Sequence, residues 1–122
     1  MKFTNVCPIF RILDEEKAKA FYVDYLGFTV KFEHRFAKNM PLYMGLELGN
    51  FELHLSEHTG DCSPHNAVYL EIDSGLKEYH QTLLQKNTEF TTPEIEDSGF
   101  GTICLDITDP FQNRLSFNEP NK

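Results

Sequence analysis

The chain has 122 residues, of which 40% are hydrophobic and 25% are charged, and its formal net charge at pH 7 is −8. These values fit one globular domain covering residues 1–122 and exclude a disordered chain. The acidity argues against a nucleic-acid partner, which needs a surplus of Lys and Arg, and leaves two alternatives: attraction of cationic ligands, or solubility alone.

The first half of the chain predicts a β-α-β-β-β unit. A β-rich run at residues 6–13 ends at Asp14, which is placed to cap a helix, and Gly27 is placed to end that helix. A turn is predicted at Gly49-Asn50. The β-prone segments after the helix are residues 28–33, 42–48 and 51–56.

The second half repeats this pattern. A β-rich run at residues 68–72 ends at Asp73, which is placed to cap a second helix, and Asn87 is placed to end it. A turn is predicted at residues 109–113. The β-prone segments after the second helix are residues 89–92, 101–107 and 114–118.

The sequence therefore predicts an α+β fold with two βαβββ repeats in one domain. Repeat one covers about residues 1–56 and repeat two about residues 67–119, and a polar linker of about residues 57–66 joins them. One helix covers only one face of its sheet. The open faces of the two sheets therefore predict a cleft for a small molecule and a second subunit that covers them, so we expect a homodimer.

The chain shows no sign of a membrane partner. No apolar run approaches the ~20 residues that cross a bilayer, and the first residues lack a signal-peptide pattern. Cys7, Cys62 and Cys104 are odd in number and widely spaced, which predicts free thiols rather than a disulfide framework. We therefore expect a cytoplasmic protein.

Three sequence runs resemble the vicinal oxygen chelate superfamily, which includes glyoxalase I, extradiol dioxygenases and bleomycin resistance proteins. These runs are residues 13–18, 21–28 and 109–115. Within the superfamily the chain is most similar to bleomycin resistance proteins. That similarity rests on Pro8 and on residues 42–44, 53–58 and 99–102. The resemblance implies a glyoxalase/bleomycin-resistance-like fold with curved mixed sheets.

The resemblance also implies four metal-ligand positions, on the first and last strands of each repeat. In this chain those positions hold Cys7, His54, Ala67 and Ser116. Only His54 is a usual ligand there, because Ala67 has no donor atom and Ser116 is a weak one. We therefore expect no metal and no cofactor. The alternative is a metal-dependent glyoxalase- or dioxygenase-like enzyme in which Glu47 or Glu71 replaces a missing ligand.

Bleomycin resistance proteins hold a planar cationic glycopeptide in grooves at a dimer interface, without turnover. The resemblance implies that this chain likewise sequesters a cationic or aromatic antibiotic, using aromatic rings for stacking and carboxylates for charge. The predicted ligand-binding residues are Phe32, Glu33, Phe36, Tyr43, Glu47, His54 and Phe100. Two observations leave alternatives open: the chain has no Trp, which such grooves often use, and Phe residues are commonly core residues.

Pro8 lies in the predicted first strand, where it cannot donate a hydrogen bond to a neighbouring strand. In bleomycin resistance proteins a proline at this place accompanies exchange of the N-terminal strand between two subunits. The resemblance therefore implies a homodimer in which residues 1–7 are a swapped arm. The alternative is a plain edge strand.

Overall fold

The computed structural model describes residues 1–121 and places eight strands in two four-stranded sheets. In spatial order, the first sheet contains β1 (Ile9–Arg11), β4 (Phe51–Ser56), β3 (Tyr43–Leu48) and β2 (Thr29–His34). The second sheet contains β5 (Ala67–Glu71), β8 (Arg114–Pro120), β7 (Thr102–Thr108) and β6 (Glu96–Asp97). In each sheet the first and last strands of the repeat pair in parallel and the other neighbours are antiparallel. This arrangement confirms the predicted α+β fold of two βαβββ units.

The first helix, α1 (Glu15–Lys19), starts at the predicted residue, and together with the π-helical turn that continues it, it stops just before the predicted Gly27. The side chain of Asp14 accepts a hydrogen bond from the backbone N–H of Lys17 at 3.0 Å, which satisfies one of the free donors of the first turn. Gly27 follows the helix with a φ of +89°, a left-handed conformation that glycine adopts without strain.

The second part of this helix is wider than an α-helix. Residues Ala20–Tyr25 form a π-helical segment, in which the N–H of Leu26 reaches back five residues to the carbonyl of Phe21 at 2.9 Å. This segment buries the rings of Phe21, Tyr22 and Tyr25. The first helix therefore contributes three aromatic side chains to the core.

The predicted cap of the second helix is wrong. Helix α2 (Leu76–Leu84) begins after Gly75, which has a φ of +94° and provides no side-chain cap. The carboxylate of Glu119, from the last strand, accepts the N–H of Leu76 at 2.9 Å, so it takes the role expected of Asp73. A residue 43 positions away in the sequence thus accepts the hydrogen bond from a free N–H group at the start of the helix.

Two further predictions after this helix are also wrong. Asn87 does not have a positive φ, and the helix ends earlier, at Leu84. Residues 89–92 form no strand; the short β6 lies at Glu96–Asp97 instead. Phe90 packs edge-on against Phe21 at 5.0 Å between ring centroids, so its apolar side chain contacts the first helix instead of extending a sheet.

Both repeats contribute to one apolar core. Buried residues on the inner faces include Leu46 and Leu53 of the first sheet and Leu105 and Leu115 of the second. Such burial is the main stabilising contribution, about 25 cal/mol per Å² of apolar surface removed from water. The inward-facing residues alternate with residues that point away from the core, which form the open face of each sheet.

The predicted turn at residues 109–113 ties the repeats together. The hydroxyl of Tyr22 donates to the buried Asp109 carboxylate at 2.7 Å, and that carboxylate also accepts the N–H groups of Phe111 and Asn113 at 2.8 Å. The Asn113 side chain in turn donates to the carbonyl of Arg11 at 2.8 Å.

Within residues 1–121, no helix is long and apolar enough to span a membrane.

Candidate functional site

The candidate site lies on the open face of the first sheet. Strand β4 buries Leu53 and Leu55 in the core, so the period of two places Glu52 and His54 on the opposite face. The neighbouring strand β3 pairs Gly45 with His54. Side chains from three strands and from the segment before β1 converge there.

Three rings on this face form an aromatic platform, which we define as Phe32, Tyr43 and His54. The Phe32 and Tyr43 rings are nearly parallel, with an interplanar angle of 13° and centroids 6.2 Å apart. The His54 ring stands edge-on to both, at 5.3 Å from each. The Phe32 ring is 39% exposed, so a flat ligand can reach it.

The platform depends on Gly45. A Cβ atom at this position would lie 2.2 Å from Cε2 of Phe32, which is far inside contact distance. Glycine thus lets the Phe32 ring lie directly over strand β3, beside Tyr43 and His54. The space for the ring is created by an absent side chain.

His54 belongs to a hydrogen-bonded chain of polar groups. One ring nitrogen, Nδ1, lies 2.7 Å from the hydroxyl of Tyr43, and the other, Nε2, lies 2.7 Å from Oε2 of Glu52. The second oxygen of Glu52 accepts from Lys31 at 3.0 Å and from Asn5 at 3.1 Å. The hydrogen bond from His54, followed by that from Lys31, lowers the pKa of Glu52 to about 2.

Cys7 lies beside these hydrogen-bonded groups, just before β1. Its Sγ accepts from the Asn5 side chain at 3.2 Å. Burial raises the pKa of the Cys7 thiol above its ordinary value, and the nearby charge of Glu52 raises it further. At neutral pH the sulfur therefore carries a proton, so the site does not activate it as a nucleophile.

The structure brings some of the predicted ligand-binding residues together and separates others. Phe32, Tyr43 and His54 are in contact, and Glu47 lies on the same face with its carboxylate 3.8 Å from Lys31. Glu33 points elsewhere and forms an ion pair with Lys19 of helix α1 at 3.1 Å.

The remaining two predicted aromatic residues lie away from the platform. Phe36 is 77% exposed and stands edge-on to His34 and His58, at 5.0 and 6.3 Å. Phe100 is 90% exposed in the turn before β7 of the second sheet. Neither ring is a core residue, which removes one of the alternatives left open by the sequence.

Sequence reasoning missed Glu52, Lys31 and Asn5. A signal existed for Glu52, because a residue two positions before His54 on a strand shares its face. Lys31 lies where the pairing of β2 and β3 shifts register, between Val30 and Phe32, and no local pattern predicts such an irregularity.

The four positions that correspond to superfamily metal ligands do not fit a metal. Cys7 and His54 lie at the first sheet, whereas Ala67 and Ser116 lie on strands β5 and β8 of the second. Ala67 has no donor atom, and the Ser116 hydroxyl accepts from the side chain of Asn118 at 3.1 Å. The alternative ligands do not complete the set of four either, because Glu47 lies beside the ammonium group of Lys31 and Glu71 is exposed on β5.

Strands β1 and β5 meet at a pocket of about 390 Å³. Pro8, Cys62, Ala67 and Val68 are among the residues that line it. The carbonyl of Pro8 accepts the N–H of His54 at 3.0 Å, so the pocket lies close to the platform along the same sheet edge. The pocket provides concave space between the two repeats.

Comparisons with known proteins agree with this fold. A bleomycin-binding protein complexed with bleomycin has a TM-score of 0.69 at 22% identity, covering 96% of this chain and 98% of that one. An antibiotic-binding protein from Streptomyces sp. CB03234 has a TM-score of 0.72 at 19% identity, covering 98% of both chains. A lactoylglutathione lyase from Agrobacterium tumefaciens has a TM-score of 0.65 at 15% identity, covering 97% of this chain and 95% of that one.

At these identities the similarity shows the shared fold and does not choose between binding protein and enzyme. No curated protein sequence matches this chain significantly. The sequence model of the family described as "Glyoxalase superfamily protein" matches residues 1–122. The chain therefore belongs to the glyoxalase superfamily, the vicinal oxygen chelate group that also contains bleomycin-resistance proteins.

Proposed function

We propose that this protein binds a cationic, partly planar small molecule of the bleomycin type on the aromatic platform and sequesters it without chemical turnover. The observation that carries this proposal is the partly exposed Phe32 ring, which lies over Gly45 and is nearly parallel to the half-buried Tyr43 ring. Each stacked aromatic pair contributes about 0.5–1.5 kcal/mol beyond the burial of its surface. Two rings and an edge-on imidazole thus provide a surface for one flat group.

The charges near the platform favour a cationic ligand. Glu47 and Glu52 flank it, and one ammonium group, that of Lys31, lies between their carboxylates. Two carboxylates against one ammonium leave a net negative charge, in line with the overall charge of −8. Exposed charge attraction is screened over ~10 Å at 0.1 M salt, so salt should weaken binding without abolishing it.

We further propose that a second copy of the chain covers the open face and completes the groove. Residues 1–6 are exposed, and Phe3 and Val6 among them present apolar side chains to solvent. The swapped arm at residues 1–7 that the superfamily resemblance implies would place these side chains against the partner subunit. In this proposal the groove of the dimer also includes Phe36, Phe100 and Glu33.

Titration calorimetry against a bleomycin-type glycopeptide tests the proposal. Phe32→Ala should weaken binding by about 1–3 kcal/mol, because it removes a central stacked ring. Leu84→Ala is the matched control, since Leu84 is an exposed apolar side chain on helix α2, away from the platform. Absence of measurable binding at high micromolar ligand, or equal losses in both variants, would overturn the proposal.

A metal-dependent enzyme is the second candidate, and the proximity of Cys7, Glu52 and His54 favours it. The two functions differ in what happens to the bound compound. Mass spectrometry after incubation with protein and a divalent metal should recover the compound unchanged if the protein sequesters it. A metal-dependent product would establish the enzyme instead.

A further inference from the structure

The two repeats form a second pocket, which is separate from the aromatic platform. It has a volume of about 290 Å³ and lies between the turn that joins β3 to β4 and the segment that joins β5 to α2. We call it the inter-repeat pocket. Within residues 1–121, its lining includes none of the three platform residues. The residues of its lining that matter below are Phe51, Leu70, Glu71, Asp73, Tyr79 and Phe117.

Aromatic rings at the margin of the core form the wall of this pocket. The Tyr79 ring lies 5.5 Å from the ring of Phe117, and its hydroxyl donates to the carbonyl of Leu26 at 2.6 Å. The Phe51 ring stands edge-on to Phe28 at 6.1 Å between centroids. These contacts fix the rings before a ligand arrives, so an aromatic ligand meets a wall that is already in place.

A difference between the two repeats explains why this pocket is open. Two residues, Gly49-Asn50, separate the last paired residues of β3 and β4, whereas five, residues 109–113, separate those of β7 and β8. The longer turn contains the buried Phe111, and its Asn113 donates to the carbonyl of Arg11 at the end of β1. The longer turn therefore closes against the other repeat. The shorter turn has no aromatic side chain to do the same against the end of β5, and the space remains.

The charged residues of the pocket lining are both acidic. They are Glu71 and Asp73, and both are exposed. Asp73 does not cap the second helix, because the carboxylate of Glu119 accepts the N–H of Leu76 in its place. A carboxylate at the mouth of an apolar pocket attracts an ammonium group and repels another carboxylate.

We propose that the inter-repeat pocket binds a small aromatic amine, with the ring of the amine against Phe51, Tyr79 and Phe117 and its ammonium group at Asp73. The volume lies at the lower end of the range for ligand pockets, about 300–1,000 Å³, so one ring with a short chain fits and a glycopeptide does not. The proposal goes beyond the proposed function, because it gives the chain a second site for a smaller ligand.

An NMR titration of the isotope-labelled full chain tests the pocket, with phenethylamine as the probe. This alkylamine, like the Lys side chain, is protonated at neutral pH. At millimolar concentration it should cause saturable shifts in the backbone amide signals of Gly49 and Gly75, which both line the pocket. Phenethyl alcohol has the same ring without the charge and should bind about threefold more weakly. Hydrocinnamate, which is an anion, should cause no saturable shift.

Two matched variants separate the carboxylate at the pocket from the net charge of the protein. Asp73→Asn and Asp24→Asn each remove one negative charge, and Asp24 is exposed on the π-helical segment, outside the pocket lining. Asp73→Asn should weaken binding of phenethylamine about threefold, whereas Asp24→Asn should leave it unchanged. Phe32→Ala should retain the shifts of Gly49 and Gly75, because the platform is not part of the pocket. Circular dichroism checks that each variant is folded.

Several outcomes would overturn the proposal. These are no saturable response at Gly49 and Gly75, equal responses to phenethylamine and hydrocinnamate, and equal losses in Asp73→Asn and Asp24→Asn. Shifts of the two glycine signals on dilution of the protein, without a response to the amine, would assign the pocket to a second copy of the chain instead. Glycopeptide binding on the platform is measured separately by calorimetry, and Asp73→Asn should retain it, so either proposal can fail alone.

Discussion

Replacing Gly45 by alanine tests whether the Phe32 ring sits over β3 as described. The added Cβ would lie 2.2, 2.7 and 2.8 Å from three atoms of the ring, whereas ordinary contacts begin at 3.4 Å. The ring must therefore withdraw by at least about 1.2 Å, and its 39% exposure lets it move toward solvent. The stack with Tyr43 is lost while the strand remains.

Two opposing contributions set the change in the free energy of unfolding that Gly45→Ala causes. Overpacking costs about 1–3 kcal/mol, and the mobility of the Phe32 ring places this site at the lower end. Gly45 has no positive φ, so alanine also restricts the unfolded chain and regains about 0.4–1 kcal/mol. We expect Gly45→Ala to lower the free energy of unfolding by about 1 kcal/mol. In a Phe32→Ala background the same change should be neutral or stabilising.

Urea unfolding at one fixed protein concentration measures all four members of this cycle, so that any self-association of the chain contributes equally to each measurement. The expected coupling between positions 32 and 45 is about 1.5 kcal/mol, within the range for residues in contact. Gly60→Ala is the control, since a Cβ added at Gly60 would meet no atom beyond its chain neighbours within 4 Å and Gly60 has no positive φ. Equal destabilisation by Gly45→Ala in both backgrounds would refute the contact.

Three further changes have defined outcomes. The pKa of Glu52 is lowered from its ordinary value of 4.5 to about 2 in the folded chain, so the stabilisation by this carboxylate is complete above pH 4.5 and is lost as the pH falls toward 2. Glu52→Gln should therefore reduce the loss of unfolding free energy between about pH 4.5 and 2. Urea unfolding at several pH values measures this slope. Asp109→Ala should lower the free energy of unfolding by about 3 kcal/mol or more, because the buried Tyr22 hydroxyl and neighbouring N–H groups lose their acceptor; a loss under 1 kcal/mol in urea would contradict this. Glu119→Ala should cost about 1 kcal/mol, while Asp73→Ala should be nearly neutral, and the reverse order in thermal unfolding would restore the cap expected from the sequence.

Local signals in the sequence predicted much of the fold. Asp14, Gly27 and the turn at residues 109–113 act on backbone groups within a few positions, so their effects are visible in a short window. The predicted strand at residues 51–56 coincides with β4 for the same reason, since its alternation covers a half-buried strand.

The errors arise where distant residues decide the structure. The end of α2 is satisfied by Glu119, which a local window around Asp73 does not contain. Residues 89–92 have β-prone side chains, but the contact of Phe90 with Phe21 and Tyr25 outweighs this propensity.

The candidate site was predictable only in part. Phe32, Tyr43 and His54 were proposed from their chemistry, and the pairing of β2, β3 and β4 brings them into contact. The grouping of Cys7 with Glu52 depends on how the segment before β1 lies along β4, a parallel pairing between positions more than forty residues apart. No spacing rule in one sequence specifies that register.

The contacts of the turn at residues 109–113 have a consequence for synthesis of the chain on the ribosome. Tyr22 and Asp109 are 87 positions apart, and Asn113 and Arg11 are 102 positions apart. The N-terminal repeat therefore leaves the exit tunnel before the acceptor of its buried hydroxyl has been made. Because such long-range contacts also slow folding, the nascent N-terminal repeat should lack these stabilising hydrogen bonds until residues 109–113 have emerged.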